Sequence, residues 1–456
     1  MNRMNLSTRS GLSTLLNNPA AETIFAPATA AGRAAVAVLR LSGPHARRAV
    51  MLLAGGLPPP RVAQRRRLVD PQSGTALDEG LVLWFPAPRS ATGEDVAELH
   101  LHGSRAVLAA VMQALARLGL RLAEPGEFTR RAFLNGKLDL LQAEAIADLA
   151  AAETDAQRRQ ALRQLGGELG DVYRGWRDRL TRILAHLEAA IDFPDEDLPP
   201  EIEDRIAGET ELLVAEIERH LADGHRGERL RDGIDVAIVG PPNAGKSSLL
   251  NRIARRDVAI TSPVPGTTRD VIEVAIDLGG YPVVLADTAG LRDSADAIEQ
   301  EGKRRAVQRA EQAEIRLFVF DIAHPADATG AASWPGPDTI LVANKIDLVP
   351  LPGPDFPPAA LPVSALTGEG VDTLLTVLGE RVAQTYRIEA PVLTRARHRQ
   401  ALEEAGASVR RSFSAQLPEL RAEDLRLALR SLGRITGAVE VEDLLDVIFR
   451  DFCIGK

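Results

Sequence analysis

The stretch GPPNAGKSS, Gly240 to Ser248, constrains what this chain can fold into more than any other feature. It follows the apolar run DVAIVG and opens the helical pattern SLLNRIA, so its glycines sit between a strand and a helix. A strand–loop–helix of this kind cradles phosphates on backbone N–H groups, with a lysine on the β/γ-oxygens and a hydroxyl on Mg²⁺. Lys246 and Ser247 take those two roles, and Gly240, Asn243, Ala244, Gly245 and Ser248 complete the loop. The strands YPVVLAD, IRLFVFD and TILVAN follow, alternating with helical patterns to about Gln384, which predicts a parallel α/β sheet.

The phosphate loop is followed by further elements in a fixed order. SPVPGTT, Ser262, Pro263, Val264, Pro265, Gly266, Thr267 and Thr268, places Thr268 to complete a Mg²⁺ shell with Ser247. DTAG, Asp287, Thr288, Ala289 and Gly290, puts a carboxylate on the Mg²⁺ side and a glycine N–H toward a γ-phosphate. NKID supplies Asn344, Lys345 and Asp347, whose carboxylate accepts from guanine N1–H and the 2-amino group. Adenine lacks those donors, so GTP is favoured over ATP. SAL, Ser364, Ala365 and Leu366, adds a backbone contact to the base.

One catalytic element is missing. Ras-like GTPases place a glutamine after the DTAG glycine to orient the attacking water. Here the residue is Leu291, which forms no side-chain hydrogen bond. The amide of Asn243 could hold a monovalent cation in place of an arginine finger. Asp293, Asp296, Glu299 and Glu301 are the acids that could orient water, and spacing does not choose among them.

Helical patterns flank the α/β region. Leu180, Ile183, Leu184, Leu187 and Ile191 recur at helical spacing before it, and Leu425, Ala428, Leu429, Leu432 and Ile435 after it. The α/β domain is therefore expected as an insertion into a helical one. The N-terminal part mixes strand-like AAVAVLRLSG and LVLWFP with the alternating DVAELHLHG. Between Thr23 and Val69 there is no acid but there are eight arginines, Arg33, Arg40, Arg47, Arg48, Arg61, Arg65, Arg66 and Arg67, a block able to meet a polyanion. Glu98, His100 and His102 share a strand face, a spacing that could also hold zinc. The lone Cys453 excludes an internal disulfide and fits a reducing compartment. No apolar run reaches the ~18 residues of a membrane span.

Together PNAGKSSLLN, PGTTRD, DTAGLR, NKID, the upstream PGEFTRRAFLNGKLDLLQAEAIADL and the terminal FCIGK resemble one family, the tRNA modification GTPases MnmE, also called TrmE. The resemblance runs from Thr23 to Lys456. The polar first residues, which lack the apolar core of a secretion signal, point to a disordered tail over 1–22. The resemblance implies a folate-binding and dimerising α+β domain over 23–137, helical segments over 138–230 and 385–456, and a GTPase domain over 231–384. It implies K⁺ held by Asn243, Ser262, Val264 and Thr267, catalysis by Glu299, and a tetrahydrofolate derivative (5-formyl or methylene) on Arg40, Glu98, Lys137 and Lys456. It favours a folate and packing role for the histidine-bearing strand over zinc.

The implied activity is GTP hydrolysis that, with the FAD-binding partner MnmG, adds a carboxymethylaminomethyl or aminomethyl group to C5 of the wobble uridine of certain tRNAs. A cytoplasmic homodimer with no membrane association is expected. The alternative is an Era-like GTP switch in ribosome assembly, which explains the GTPase core but neither the residues before it nor FCIGK.

Overall fold

The computed structural model describes residues 22–192, 200–256, 258–260, 273–287, 313–333, 339–349, 356–387 and 390–439, together with Leu445, Ile448, Phe449, Phe452 and Gly455. The chain divides into two compact units, Met1–Ala147 with Thr436–Lys456, and Asp148–Ile435. The C-terminal residues from Thr436 thus group with the N-terminal unit.

The first unit contains β1 (Ile24–Pro27), β2 (Ala34–Ser42), α1 (Ala46–Ala54), β3 (Gln64–Val69), β4 (Ala76–Phe85), β5 (Val96–Gly103), α2 (Arg105–Arg117), β6 (Arg121–Leu122), α3 (Glu127–Leu134) and most of α4 (Leu140–Ala151). Its sheet runs β3-β4-β5-β2-β1-β6. The alternation read in DVAELHLHG is literal: Ala97, Leu99 and Leu101 enter the core with Leu39, Leu41, Val82 and Trp84, while Glu98, His100 and His102 face the other way. Val50 and Leu53 of α1 and Val111 and Leu115 of α2 cover the core face.

QRRRLV carries no apolar alternation, yet it forms edge strand β3, antiparallel to β4. Pairing with a longer apolar strand overrides its weak intrinsic propensity. Six of the eight arginines of the block consequently sit on β2, α1 and β3, with Arg33 and Arg61 in the segments before β2 and β3. Arg40 pairs with Glu98, Arg65 with Glu79, and Arg66 with the Gln64 side chain.

The PGEFTRR segment builds a buried ion network on α3. Glu127, 5% exposed, accepts from Arg121 at 2.8 Å and from Arg131 at 2.9 Å, and Arg131 also reaches Glu94 at 3.0 Å. Burial acts to raise the Glu127 carboxyl, but the bonds from Arg121, the Glu124 N–H and Arg131 hold it below the usual range.

In the second unit, α5 (Asp155–Leu165), α6 (Glu168–Asp192), α7 (Pro200–Leu221) and α8 (Arg226–Asp232) precede β7 (Ile234–Val239). Thr154 starts α5 through a capping box with Gln157. Leu180, Ile183 and Leu184 are buried along α6, as their spacing requires.

The α/β part continues with α9 (Lys246–Ala254), β8 (Glu273–Leu278), β9 (Tyr281–Asp287), β10 (Ile315–Asp321), β11 (Thr339–Asn344), β12 (Leu361–Pro362) and α10 (Val371–Tyr386), followed by α11 (Ala396–Ser414) and α12 (Pro418–Thr436). The sheet order is β12-β11-β10-β7-β9-β8, parallel except for β8. Strands β7 and β10 are apolar runs buried on both faces. Because β9 and β10 lie on opposite sides of β7, the chain reverses direction at the carboxyl end of β7. Ligands of open α/β sheets bind at that point.

Candidate GTP site

The phosphate loop occupies the carboxyl end of β7 and leads into α9. Its backbone conformation demands its glycines. Gly240 has φ 139°, and a Cβ there would lie 2.0 Å from the Val319 carbonyl oxygen. Gly245 has φ 91°, and a Cβ would meet the Asn344 amide nitrogen at 2.2 Å. Asn243, at φ 61°, takes the left-handed conformation that asparagine tolerates better than most residues.

Lys246 is buried, and its Nζ donates to the carbonyls of Gly240 at 2.9 Å and Pro241 at 2.7 Å. The ammonium is thus folded across the mouth of the loop. Burial pushes its pKa down, and the charge of Asp287 offsets part of that. Ser247 Oγ donates to the buried carboxylate of Asp287. A hydroxyl and a carboxylate converging at a helix N-terminus form the oxygen-donor set that a hard divalent cation selects.

The base side is assembled around Asn344, 1% exposed at the end of β11. Its Nδ2 donates to the Ala244 carbonyl at 2.8 Å, and its Oδ1 accepts from the Ala365 N–H at 3.0 Å. One amide therefore ties the phosphate loop to the turn Ser364–Leu366. Asp347 accepts from Ser364 Oγ at 2.5 Å, and Lys345 Nζ bonds Asp321 at 2.8 Å. Arg252 of α9 donates from Nε to the Ala365 carbonyl at 2.9 Å and from a terminal nitrogen to the Leu366 carbonyl. The motif reading missed Arg252, since no motif includes it.

The structure thus gathers Gly240, Asn243, Ala244, Gly245, Lys246, Ser247, Ser248, Asp287, Asn344, Lys345, Asp347, Ser364, Ala365 and Leu366 around the carboxyl ends of the parallel strands. Ser262, Pro263, Val264, Pro265, Gly266, Thr267, Thr268, Thr288, Ala289, Gly290, Leu291 and Glu299 lie outside the described residues, as do Cys453 and Lys456.

In the first unit, Arg40 and Glu98 are cross-strand neighbours of β2 and β5. The guanidinium bonds one carboxylate oxygen through Nε at 3.1 Å and a terminal nitrogen at 3.0 Å, and lies 5.8 Å from the Phe128 ring centre. His100 contacts the other Glu98 oxygen at 3.3 Å, whereas His102 pairs with Asp78. Two of the three candidate zinc ligands thus contact each other, with Glu98 also held by Arg40, while the third, His102, pairs with Asp78. Among the described residues, no group of three or more His, Cys, Asp or Glu is placed to hold a metal.

Lys137 is exposed beyond α3, and no described bond joins it to the Arg40–Glu98 pair. Gly455 is described beside β1. Gly455, at φ 100°, packs so tightly that a Cβ would lie 2.0 Å from the Pro27 carbonyl oxygen, next to Ala26, which pairs with Arg40. Phe449 and Phe452 pack with Leu140 and Ala143 and against Gly126.

Comparison with known proteins covers the same span. Residues 23–137 match the family described as GTP-binding protein TrmE N-terminus, and residues 140–453 match the MnmE helical domain. A protein of Parvibaculum lavamentivorans named tRNA modification GTPase MnmE is 58% identical over 442 residues, 95% of this chain and 100% of that one. A Rhodospirillum rubrum protein of the same name is 58% identical over 453 residues, 95% of this chain and 99% of that one. No described helix is long and apolar enough to cross a membrane. From its phosphate loop to its N-terminal and helical domains, this chain belongs to the MnmE (TrmE) family of tRNA modification GTPases.

Proposed function

We propose that this chain is a K⁺-activated GTPase whose hydrolysis cycle serves modification of the wobble uridine at C5 in certain tRNAs, as a homodimer working with the FAD-binding partner MnmG in the cytoplasm. The observation that carries the reading is the Asn344 bridge. It locks a guanine-selective turn to the phosphate loop within a chain whose full-length relatives are named tRNA modification GTPases.

In this reading the triphosphate lies along the N–H groups of Gly240 to Ser248. Lys246 exchanges its two carbonyl partners for phosphate oxygens, whose negative charge favours the ammonium that burial disfavours. Asp347 accepts from the guanine N1–H and 2-amino group. Ser247 and Thr268 would hold Mg²⁺, and the Ser247–Asp287 contact supplies matching oxygens. Asn243, Ser262, Val264 and Thr267 would hold K⁺. Of these, Asn243 is described: it is exposed on the loop and carries an amide oxygen suited to a large monovalent ion. The two ions would supply the phosphates with the positive charge that an arginine finger provides in other GTPases. Glu299 orients the attacking water in place of the glutamine missing at Leu291.

Arg40, Glu98, Lys137 and Lys456 would hold a tetrahydrofolate derivative as one-carbon source. The acid suits the donor edge of a pterin and the cations suit a glutamate tail. The position of Gly455 beside β1 and the partly buried Arg40–Glu98 pair are consistent with that assignment.

Three measurements test the reading. Wobble-uridine nucleosides of tRNA from a strain lacking the chain should be unmodified; intact nucleosides with a ribosome-assembly defect would favour an Era-like switch instead. GTP turnover should be faster in K⁺ than in Na⁺ at equal ionic strength. Glu299→Ala should cut turnover by ~10² or more, the usual contribution of a positioned acceptor, with nucleotide binding retained. Equal rates in the two salts would refute the K⁺ assignment, and a parental rate in Glu299→Ala would refute the catalytic one.

A further inference from the structure

Helix α9 begins at the phosphate loop, but it does not serve the phosphates alone. Arg252 lies six residues beyond Lys246, roughly 9 Å farther along the axis at 1.5 Å per residue, away from the phosphate end. Its guanidinium turns to the base side, donating from Nε to Ala365 O at 2.9 Å and from a terminal nitrogen to Leu366 O. These carbonyls are 113 and 114 residues away in sequence, and they are consecutive.

Holding two consecutive carbonyls fixes two peptide planes. In a trans peptide the C=O and the following N–H point in opposite directions. With the Ala365 carbonyl drawn toward α9, the Leu366 N–H is directed away from it. The neighbouring donors are already spent: the Ala365 N–H goes to Asn344 Oδ1 and the Thr367 N–H to Ser364 Oγ. Among the described residues no acceptor takes the Leu366 N–H, and Leu366 is 72% exposed. This leaves one backbone donor of the turn for a purine.

We propose that Arg252 is a positioning residue for guanine recognition: by gripping the Ala365 and Leu366 carbonyls it aims the Leu366 N–H at the purine O6. The proposal deepens the guanine-site reading and rests on it. Arginine suits the task because its planar fork presents several donors in fixed directions, whereas lysine offers a single mobile centre. Arg256, two residues beyond the end of α9, pairs with Asp372 in the first turn of α10 and does not touch the base turn. It therefore provides a control for general loosening around the C-terminal end of α9.

The test uses the full-length protein and competition binding of GDP and 6-thio-GDP against a fluorescent guanine nucleotide. The thio analogue keeps the N1–H and 2-amino group but replaces O6 with a weak acceptor. Arg252→Ala should weaken GDP about tenfold, the worth of one ordinary hydrogen bond. It should change 6-thio-GDP little, so the preference for GDP collapses. Arg252→Lys, able to hold one carbonyl, should fall between. The kcat at saturating GTP should stay parental while KM rises. Arg256→Ala should leave the preference unchanged even if both affinities drop.

Equal weakening of both nucleotides in Arg252→Ala, or no weakening, would overturn the proposal. Asp347→Asn keeps the two failures apart, because an amide there should shift selection from guanine toward xanthine nucleotides. If that shift occurs while Arg252→Ala retains parental preference, the guanine site stands and the role of Arg252 falls. If Asp347→Asn produces no shift, the guanine-site reading falls, and this proposal with it.

Discussion

Replacing Asn344 with alanine should separate the two halves of the GTP site, because one amide joins them. The amide makes two bonds, 2.8 Å to the Ala244 carbonyl and 3.0 Å from the Ala365 N–H, and Asn344 itself is 1% exposed. Alanine leaves one buried acceptor and one buried donor unpaired. Each costs about 1–3 kcal/mol, so the pair should cost about 2–6 kcal/mol. Water can reach the base turn more easily than the buried Ala244, which argues for the lower half of that range.

The assay is native-state hydrogen exchange by mass spectrometry on the peptide spanning the phosphate loop and α9. A loss of 2 kcal/mol should speed exchange there by roughly 30-fold at tenfold per 1.4 kcal/mol. Asn344→Asp keeps an acceptor for the Ala365 N–H but loses the donor to Ala244, so the base turn should be protected better than in Asn344→Ala. Guanine nucleotide affinity should fall with the same ranking. If Asn344→Ala exchanges within a factor of two of the parent in both segments, the bridge does not hold the site together.

In the N-terminal unit, Glu127→Gln should lower stability by about 3–5 kcal/mol at neutral pH, because Arg131 and Arg121 lose a buried counter-charge. The folded-state pKa of Glu127 is depressed, so its contribution is present above the unfolded value near 4.5 and is lost as pH falls through the folded value. The stability gap between parent and Glu127→Gln in urea melts should therefore shrink below about pH 4.5; a gap that stays constant down to pH 3 would refute the ion network. Gly455→Ala should displace the C-terminus, since its Cβ would lie 2.0 Å from Pro27 O. Binding of 5-formyltetrahydrofolate should weaken while GTP turnover is spared, and unchanged folate affinity would remove the C-terminus from the folate site.

Much of the GTP site was legible because phosphate recognition is local. A loop between a strand and a helix brings its own N–H groups, its lysine and its hydroxyl within a few residues, so GPPNAGKSS carries its chemistry in order of sequence. Asp347 and Asn344 were legible for the same reason, as neighbours at one strand end. The alternation of β5 placed Glu98, His100 and His102 on one face, but it could not say what each would bind. That depended on β2 and β4 supplying Arg40 and Asp78 as partners.

The sequence by itself therefore determined the phosphate loop, the guanine preference, the apolar faces of α6 and α12, and the family. It did so because each depends on short spacings and side-chain chemistry. Tertiary structure alone decided that QRRRLV is an edge strand, that Glu127 and Arg131 form a buried network with Glu94, and that Gly455 closes on Pro27. It also decided that Arg252 grips the base turn from 113 residues away. Such contacts follow from sheet order and chain reversal. A residue's type announces what it can bond, but only the path of the chain brings the partner within 3 Å.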